Sequence, residues 1–125
     1  MAKYILVSDS KSDSSSKLSE QLMQEKSVEM VFSCQSYEET MDFANLKAFD
    51  IIFLRVGENK PEGLELVRDL KSRNPECRVI MMSEKEKLAA AASKAKADGF
   101  LLLPEYVNTY PGIQNQLQKI LKGVH

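Results

Sequence analysis

The sequence contains no tryptophan, and its one histidine is the last residue, His125. A histidine-based catalytic dyad or a zinc centre therefore has almost nothing to draw on. Cysteine is nearly as scarce. Cys34 and Cys77 are too few for a disulfide scaffold and do not stand at metal-ligand spacing. They read as reduced thiols in the core or at strand ends. Long apolar runs are missing too: the longest are four or five residues, against the ~20 needed to span a bilayer. No sign of charge prevails. Lys plus Arg is 17, Asp plus Glu is 18, and the net charge is −1. Nothing in that balance draws the chain to nucleic acid or to an anionic membrane. Met1-Ala2-Lys3-Tyr4 leads directly into a strand-like run without the apolar core of a signal peptide. A cytoplasmic location is expected.

What is present is an ordinary globular composition, 43% hydrophobic and 28% charged over 125 residues. That length suits one domain, here taken as residues 1–125, with a core that needs no metal or disulfide. The most informative stretch is Phe49-Asp50-Ile51-Ile52-Phe53-Leu54-Arg55. Its β-branched and aromatic residues, with Gly57, Asn59 and Pro61 close behind, favour a strand over a helix. Apolar on both sides of the pleat, such a strand belongs mid-sheet between layers of helices. It ends in Arg55, whose guanidinium stays charged and needs water or an anionic partner.

The rest of the chain alternates. Tyr4 to Val7 predicts a strand, and the serine-rich stretch Ser8 to Ser16 a loop running into a helix capped by Ser12 or Asp13 and reaching about Glu25. Leu18 and Leu22 mark its buried stripe. Residues 28–32 predict a strand. Ser36 with Glu39 fits a capping box for a helix to about Leu46. Strand 50–55 follows. Pro61 suits the first turn of a helix with Leu64, Val67 and Leu70 inward, ended by Asn74-Pro75. Cys77 to Met82 predicts a strand closing at Ser83, and residues 84–97, rich in Ala, Lys and Glu, one continuous helix. Asp98-Gly99 turns into strand 100–103, stopped by Pro104, and Pro111 opens a last helix carrying Ile113, Leu117, Ile120 and Leu121. Five strands alternating with five helices predict a flavodoxin-like (βα)5 fold, a parallel sheet of order 2-1-3-4-5 with helices on both faces. Function is then expected outside the carboxyl ends of the strands, at the switch point between strands one and three.

The segments ILVSDS, FDIIFLRV, PEGLELVRDLKSRNP, RVIMMS and ADGFLLLP, in this order and spacing, resemble the receiver domain of two-component response regulators over essentially the whole chain. That resemblance implies phosphoryl transfer to an aspartate at the end of strand three. It also implies an acid pair after strand one holding Mg²⁺, a Ser or Thr after strand four, and a Lys-Pro after strand five. An attacking carboxylate and an anionic donor repel, so a divalent cation and a lysine are needed to offset the developing charge. Carried over position by position, the acceptor is Arg55 and the acid pair is Asp9 with Ser8 or Ser10 beside it. The lysine is Leu103, before Pro104, and Ser83 alone is kept. Phe100 fills the aromatic switch position, and Lys96 stands where the family usually has a glycine ending its helix. The resemblance further implies a cis Leu103–Pro104 bond.

The expectation is a pseudo-receiver that keeps the scaffold and has lost the phosphorylation chemistry. It would be a bacterial, non-enzymatic protein-interaction module with no cofactor, and with Mg²⁺ binding lost or weak. Partners are expected on the face of the fourth helix, fifth strand and last helix, with Phe100, Tyr106 and Tyr110 on it, and a homodimer is compatible with that face. Two placements of Arg55 are open: paired with Asp9 in the space of the missing metal, or bent out into solvent. Two other functions also stay open: a phosphorelay receiver with an atypical acceptor, and a small-ligand sensor using the same pocket. A flavin is disfavoured, because the loop from Ser8 to Ser16 has no glycine and carries Asp9 and Asp13.

Overall fold

The computed structural model describes residues 4–57, 61–104 and 113–122. The elements run β1 (Tyr4–Ser8), α1 (Ser12–Met23), β2 (Met30–Cys34), α2 (Tyr37–Leu46), β3 (Ile51–Arg55) and α3 (Pro61–Arg73). Then come β4 (Arg78–Ser83), a 3-10 turn (Glu86–Leu88), α4 (Ala89–Lys94), β5 (Gly99–Leu102) and α5 (Gln114–Leu121). All strand pairs are parallel, in the order β2-β1-β3-β4-β5. This is the flavodoxin-like arrangement that the alternation implies.

β3 lies at the centre because it has no polar face: Ile51 to Leu54 are all buried. Alternate residues feed two separate cores. Ile51 and Phe53 join Ile5, Val7, Leu18, Leu22, Leu101 and Leu117 on the face covered by α1 and α5. Ile52 and Leu54 join Leu6, Val67, Leu70, Met81, Ala92 and Ala95 on the face of α2, α3 and α4. The two-residue period of a strand thus sends Arg55 to the α1 side, in line with Ile51 and Phe53. Cys34 and Cys77 are both buried and free, on strands or strand ends that are not neighbours. Burial raises both thiols, Cys77 to about 11, and for Cys34 the bonds with Thr40 and Ser8 oppose the rise in part.

Ser36 caps α2 as expected, though the Glu39 carboxylate accepts from the Gln35 N–H at 3.4 Å and not from the Ser36 N–H of a full capping box. The Ser36 hydroxyl oxygen accepts from the Glu39 N–H at 3.1 Å. Several boundaries differ from expectation. The first helix starts at Ser12 with Lys11 at the cap, so neither Ser12 nor Asp13 is its cap residue. β2 lies two residues later than expected, at Met30–Cys34. The expected continuous helix over 84–97 is instead a 3-10 turn and a six-residue α4. Ser83 Oγ accepts from the Lys85 N–H at 3.0 Å and Glu84 turns toward Arg55, so the chain leaves helical geometry before it can start. The Leu103–Pro104 bond is trans, since no cis peptide occurs among the described residues. Trans is the lower-energy isomer by roughly 0.5–1 kcal/mol, and Leu103, held in the core, requires nothing else.

Lys96 does not replace the glycine cap with another kind of ending. It adopts the left-handed conformation itself, with φ 68°. The Ala97 N–H bonds to the Ala92 carbonyl at 3.0 Å and the Lys96 N–H to the Ser93 carbonyl at 3.1 Å. This is the Schellman closure, in which glycine is favoured at the left-handed site because a Cβ there costs roughly 1–2 kcal/mol. Lys96→Gly is expected to stabilise the fold by about 1 kcal/mol after glycine's extra freedom in the unfolded chain is subtracted. A urea midpoint that stays put or falls would show that the left-handed lysine carries no strain.

Candidate functional site

The carboxyl ends of β1, β3 and β4 open onto a cleft of about 400 Å³. Its walls include Ser8, the last residue of β1, with Ser10 and Lys11 after it, Gln35, Ser36 and Tyr37 at the start of α2, Arg55, the last residue of β3, with Val56 and Gly57, and Ser83, the last residue of β4, with Glu84 and Lys85. The parallel register explains the convergence. Ser8 pairs with Cys34 and Leu54, and Arg55 with Met82, so the residues just beyond each strand share one rim.

Arg55 is paired, not solvated. Its Nε lies 2.9 Å from Asp9 Oδ1, with the two side chains only 11% and 1% exposed. Asp9 is fixed from three directions. It also accepts from the Lys11 N–H at 2.9 Å on Oδ1 and from the Ser14 hydroxyl at 2.6 Å on Oδ2. Arg55 Nη2 donates to Ser14 Oγ at 3.2 Å, and Nη1 donates to Glu84 Oε1 at 3.2 Å. Lys11 Nζ approaches the same Glu84 oxygen at 3.4 Å. Burial alone would push the Glu84 carboxyl up, but the bond from Arg55 and the charges of Lys11 and Arg55 outweigh it and hold it below its ordinary value.

The wall on the α2 side is a buried hydroxyl chain. Ser8 Oγ and Thr40 Oγ1 are 2.6 Å apart, Thr40 Oγ1 donates to the Ser36 carbonyl at 2.8 Å, and Cys34 Sγ lies 3.3 Å from Thr40 Oγ1. The Tyr37 hydroxyl donates to the Arg55 carbonyl at 3.4 Å. Burial, and then the charge of Glu62, raise that phenol. α3 comes close to this wall only because Gly63 has no side chain. A Cβ there would stand 2.8 Å from a Val56 methyl and 2.9 Å from Tyr37 Oη.

Of the site residues expected from sequence, Asp9, Ser10, Arg55 and Ser83 meet at this cleft or its floor. Leu103 does not. It is 3% exposed and packs in the core of the α1 and α5 face, while its N–H bonds to the Ser83 carbonyl at 2.8 Å. Pro104 is half-buried and is not among the cleft walls. Phe100 is half-buried against the opposite core, and Tyr106 and Tyr110 lie outside the described residues. Glu84 was missed as a site residue, because in sequence it reads as an acidic first turn. The available signal was its place one residue beyond β4, beside a strand that ends in an unpaired-looking arginine.

A sequence profile described as "Response regulator receiver domain" matches residues 5–108. No curated protein sequence matches the chain significantly. Among solved structures, the response regulator domain of Thermotoga maritima CheB is 19% identical, with a TM-score of 0.82 over 98% of this chain and 95% of that one. T. maritima TrrA, solved with Mg²⁺ and BeF, is 20% identical, with a TM-score of 0.78 over 98% and 99%. T. maritima DrrB, an OmpR/PhoB homologue, is 26% identical, with a TM-score of 0.71 over 98% of this chain and 54% of that longer one.

Two measurements probe the cluster. Arg55→Met leaves Asp9 buried without its cation and is expected to cost about 3 kcal/mol in urea unfolding, most of it recovered in Asp9→Asn/Arg55→Met. Because Glu84 is lowered on folding, its contribution is present above its unfolded value near 4.5 and is lost as pH falls through the folded value. The stability gap between wild type and Glu84→Gln should therefore be open at pH 7 and close on acidification. A gap independent of pH would show that the carboxylate charge is not what holds the loop.

Proposed function

The chain belongs to the response regulator receiver domain family, and from that premise we propose that it signals by binding a partner protein without being phosphorylated at the family's usual position. Receiver domains of this family work in signalling with partner proteins. The observation that carries the reading is the Arg55–Asp9 pair at 2.9 Å on the floor of the cleft. Arg55 stands at the acceptor position, and a guanidinium is neither a nucleophile toward phosphorus nor a ligand for a cation.

The donor set also fits Mg²⁺ poorly. Mg²⁺ requires a near-octahedral shell of hard oxygens at roughly 2.0–2.1 Å. The one buried carboxylate here spends both oxygens on Arg55, Lys11 and Ser14. Among the described residues no three His, Cys, Asp or Glu side chains gather as a possible metal site. TrrA, which shares the fold, was solved in complex with Mg²⁺ and BeF. In this chain the arginine side chain takes the place of such a cation, and it is covalently fixed. The strand ends are thus tied together without a phosphoryl group, and no catalysis is assigned to the pocket.

Recognition is assigned to the face of α4, β5 and α5. Lys87 and Lys94 are exposed there, and Phe100 and Leu102 are partly exposed. Among the described residues no helix is long and apolar enough to cross a membrane.

Acetyl phosphate with Mg²⁺, followed by intact-protein mass measurement, tests the reading. Neither wild type nor Arg55→Asp should gain a phosphoryl group, because Leu103 supplies no cation in the variant. A Mg²⁺-dependent acyl phosphate on the wild type would sink the proposal. A stable phosphoester elsewhere would favour a receiver with an atypical acceptor. For the recognition face, Lys94→Glu should weaken partner capture from source cells several-fold while leaving the urea midpoint within about 0.5 kcal/mol.

A further inference from the structure

The sheet has two edges, β2 and β5, and they are finished differently. β5 is four residues long, opens on Gly99 and is soon followed by Pro104. A short edge flanked by glycine and proline discourages a further strand from pairing. β2 lacks those devices. Met30 to Cys34 contains no charge, proline or glycine, and the uncharged run continues through Tyr37. The ladder to β1 fixes which backbone groups β2 has left over. The Cys34 carbonyl accepts from the Asp9 N–H at 3.0 Å, with Ser8 in register opposite Cys34. Met30, Phe32 and Cys34 therefore turn their N–H and C=O groups to β1, and Val31 and Ser33 turn theirs outward. Among the described residues no strand lies beyond them.

The surface beside this edge is apolar. Among the described residues the large apolar side chains left exposed are Met23, Met30 and Leu46, at 51%, 47% and 86%. Met23 borders the groove between α1 and β2, together with Val31 and Ser33. Met30 is on β2 itself, and Leu46 ends α2, the helix that follows β2. The strand is also complementary to itself. A two-fold axis beside Phe32 runs two copies of β2 antiparallel, with Val31 opposite Ser33 and Met30 opposite Cys34 of the second copy. The outward groups of Val31 and Ser33 then all find partners, and the two Phe32 side chains meet in the close, non-hydrogen-bonded pair. Charge does not oppose this register. Glu29 falls opposite Gln35, and the two copies of α1 run antiparallel, which offers Lys17 of one copy to Glu20 of the other; within one chain these two already pair at 3.8 Å. Glu38 and Glu39, in the first turn of α2, lie toward the carboxyl end of β2, so the two copies of this acidic turn stand at opposite ends of the shared strand pair.

We infer that a second copy of this chain docks on the β2 edge, joining the two sheets into one continuous sheet about a two-fold axis. Such an arrangement is closed, so it stops at two copies. One edge strand and its flanks make a small interface, and the association is accordingly weak and concentration-dependent. The inference does not rest on the partner-binding reading. It leaves β5, with α4 and α5 beside it, at the two far ends of the joined sheet. Where that face does bind a partner, the pair of copies presents it twice.

The experiment is sedimentation velocity of the full chain from roughly 10 µM to 1 mM, the range that suits a small interface, with amide hydrogen exchange by NMR at both ends of it. A shift from monomer to dimer with concentration is expected. The Val31 and Ser33 amides should exchange several-fold more slowly in the concentrated sample, while Phe32, already bonded to β1, should change little. Met30→Lys sets a charge at both ends of the shared strand pair and should weaken association about tenfold with the urea midpoint unchanged. Ser33→Pro removes an outward N–H and no bond to β1, and should abolish association. A chain that stays monomeric throughout, which would leave the edge to a strand of a different protein, overturns the inference. So does a dimer that survives Met30→Lys, or slowed exchange confined to Phe100 and Leu102 on β5. These readouts are independent of the acetyl phosphate test and of partner capture, so either reading can fail without the other.

Discussion

A charge has been placed at the bottom of a low-dielectric cleft, and everything around it is arranged to keep it there. Burying a guanidinium alone would be prohibitive, and burying Asp9 alone nearly so. Together, 2.9 Å apart and with Ser14 and the Lys11 N–H completing the carboxylate's shell, they form a unit whose members depend on one another. The pair joins the end of β3 to the loop after β1 across the switch point of the sheet. Through Glu84 it reaches β4 as well. Three strand ends are therefore held by one side chain. The tie is made by the chain's own side chains.

The fold was legible in the sequence because its signals were redundant. Four unbroken apolar residues in β3 needed cover on both faces, the alternation of runs and helical stripes called for a parallel sheet with right-handed connections, and seating the apolar N-terminal run beside β3 gave the order. The departures occurred where a local preference met a stronger tertiary demand. Residues 84–88 have helix-forming composition, yet Glu84 is drawn to Arg55 and Lys85 to Ser83. β2 begins later than its apolar pattern suggests because the Val28 N–H turns back to the Glu25 carbonyl, which delays the strand. Helix propensity amounts to tenths of a kcal/mol per residue, so one such tie can redirect it.

The site was legible in part. Arg55 and Asp9 were visible as a reversed charge opposite a carboxylate, but sequence alone could not choose between a pair and a solvated arginine, because the long stem permits either. The burial of Asp9 decides it. Leu103 was assigned to the pocket by its position in the chain, whereas its side chain, one residue past β5, follows Leu101 into the core of the α1 and α5 face. An apolar residue at a rim position has a better place to go than the rim. The Lys96 cap shows the converse: the backbone geometry is kept even where the residue is poorly suited to it.

The hydroxyl chain from Ser8 through Thr40 to the Ser36 carbonyl divides the rim mechanically. Thr40 is wholly buried and bonded on every side, so α2 cannot slide along β1 without leaving several dry polar atoms stranded. The opposite bank is rooted differently: Ser83 is buried in β4 and takes the Leu103 N–H, Glu84 is tied by ion pairs to Arg55 and Lys11, and Leu88 packs against the core. One shore of the cleft is thus pinned by hydroxyls and the other by opposite charges, so salt and acid reach the second and leave the first untouched.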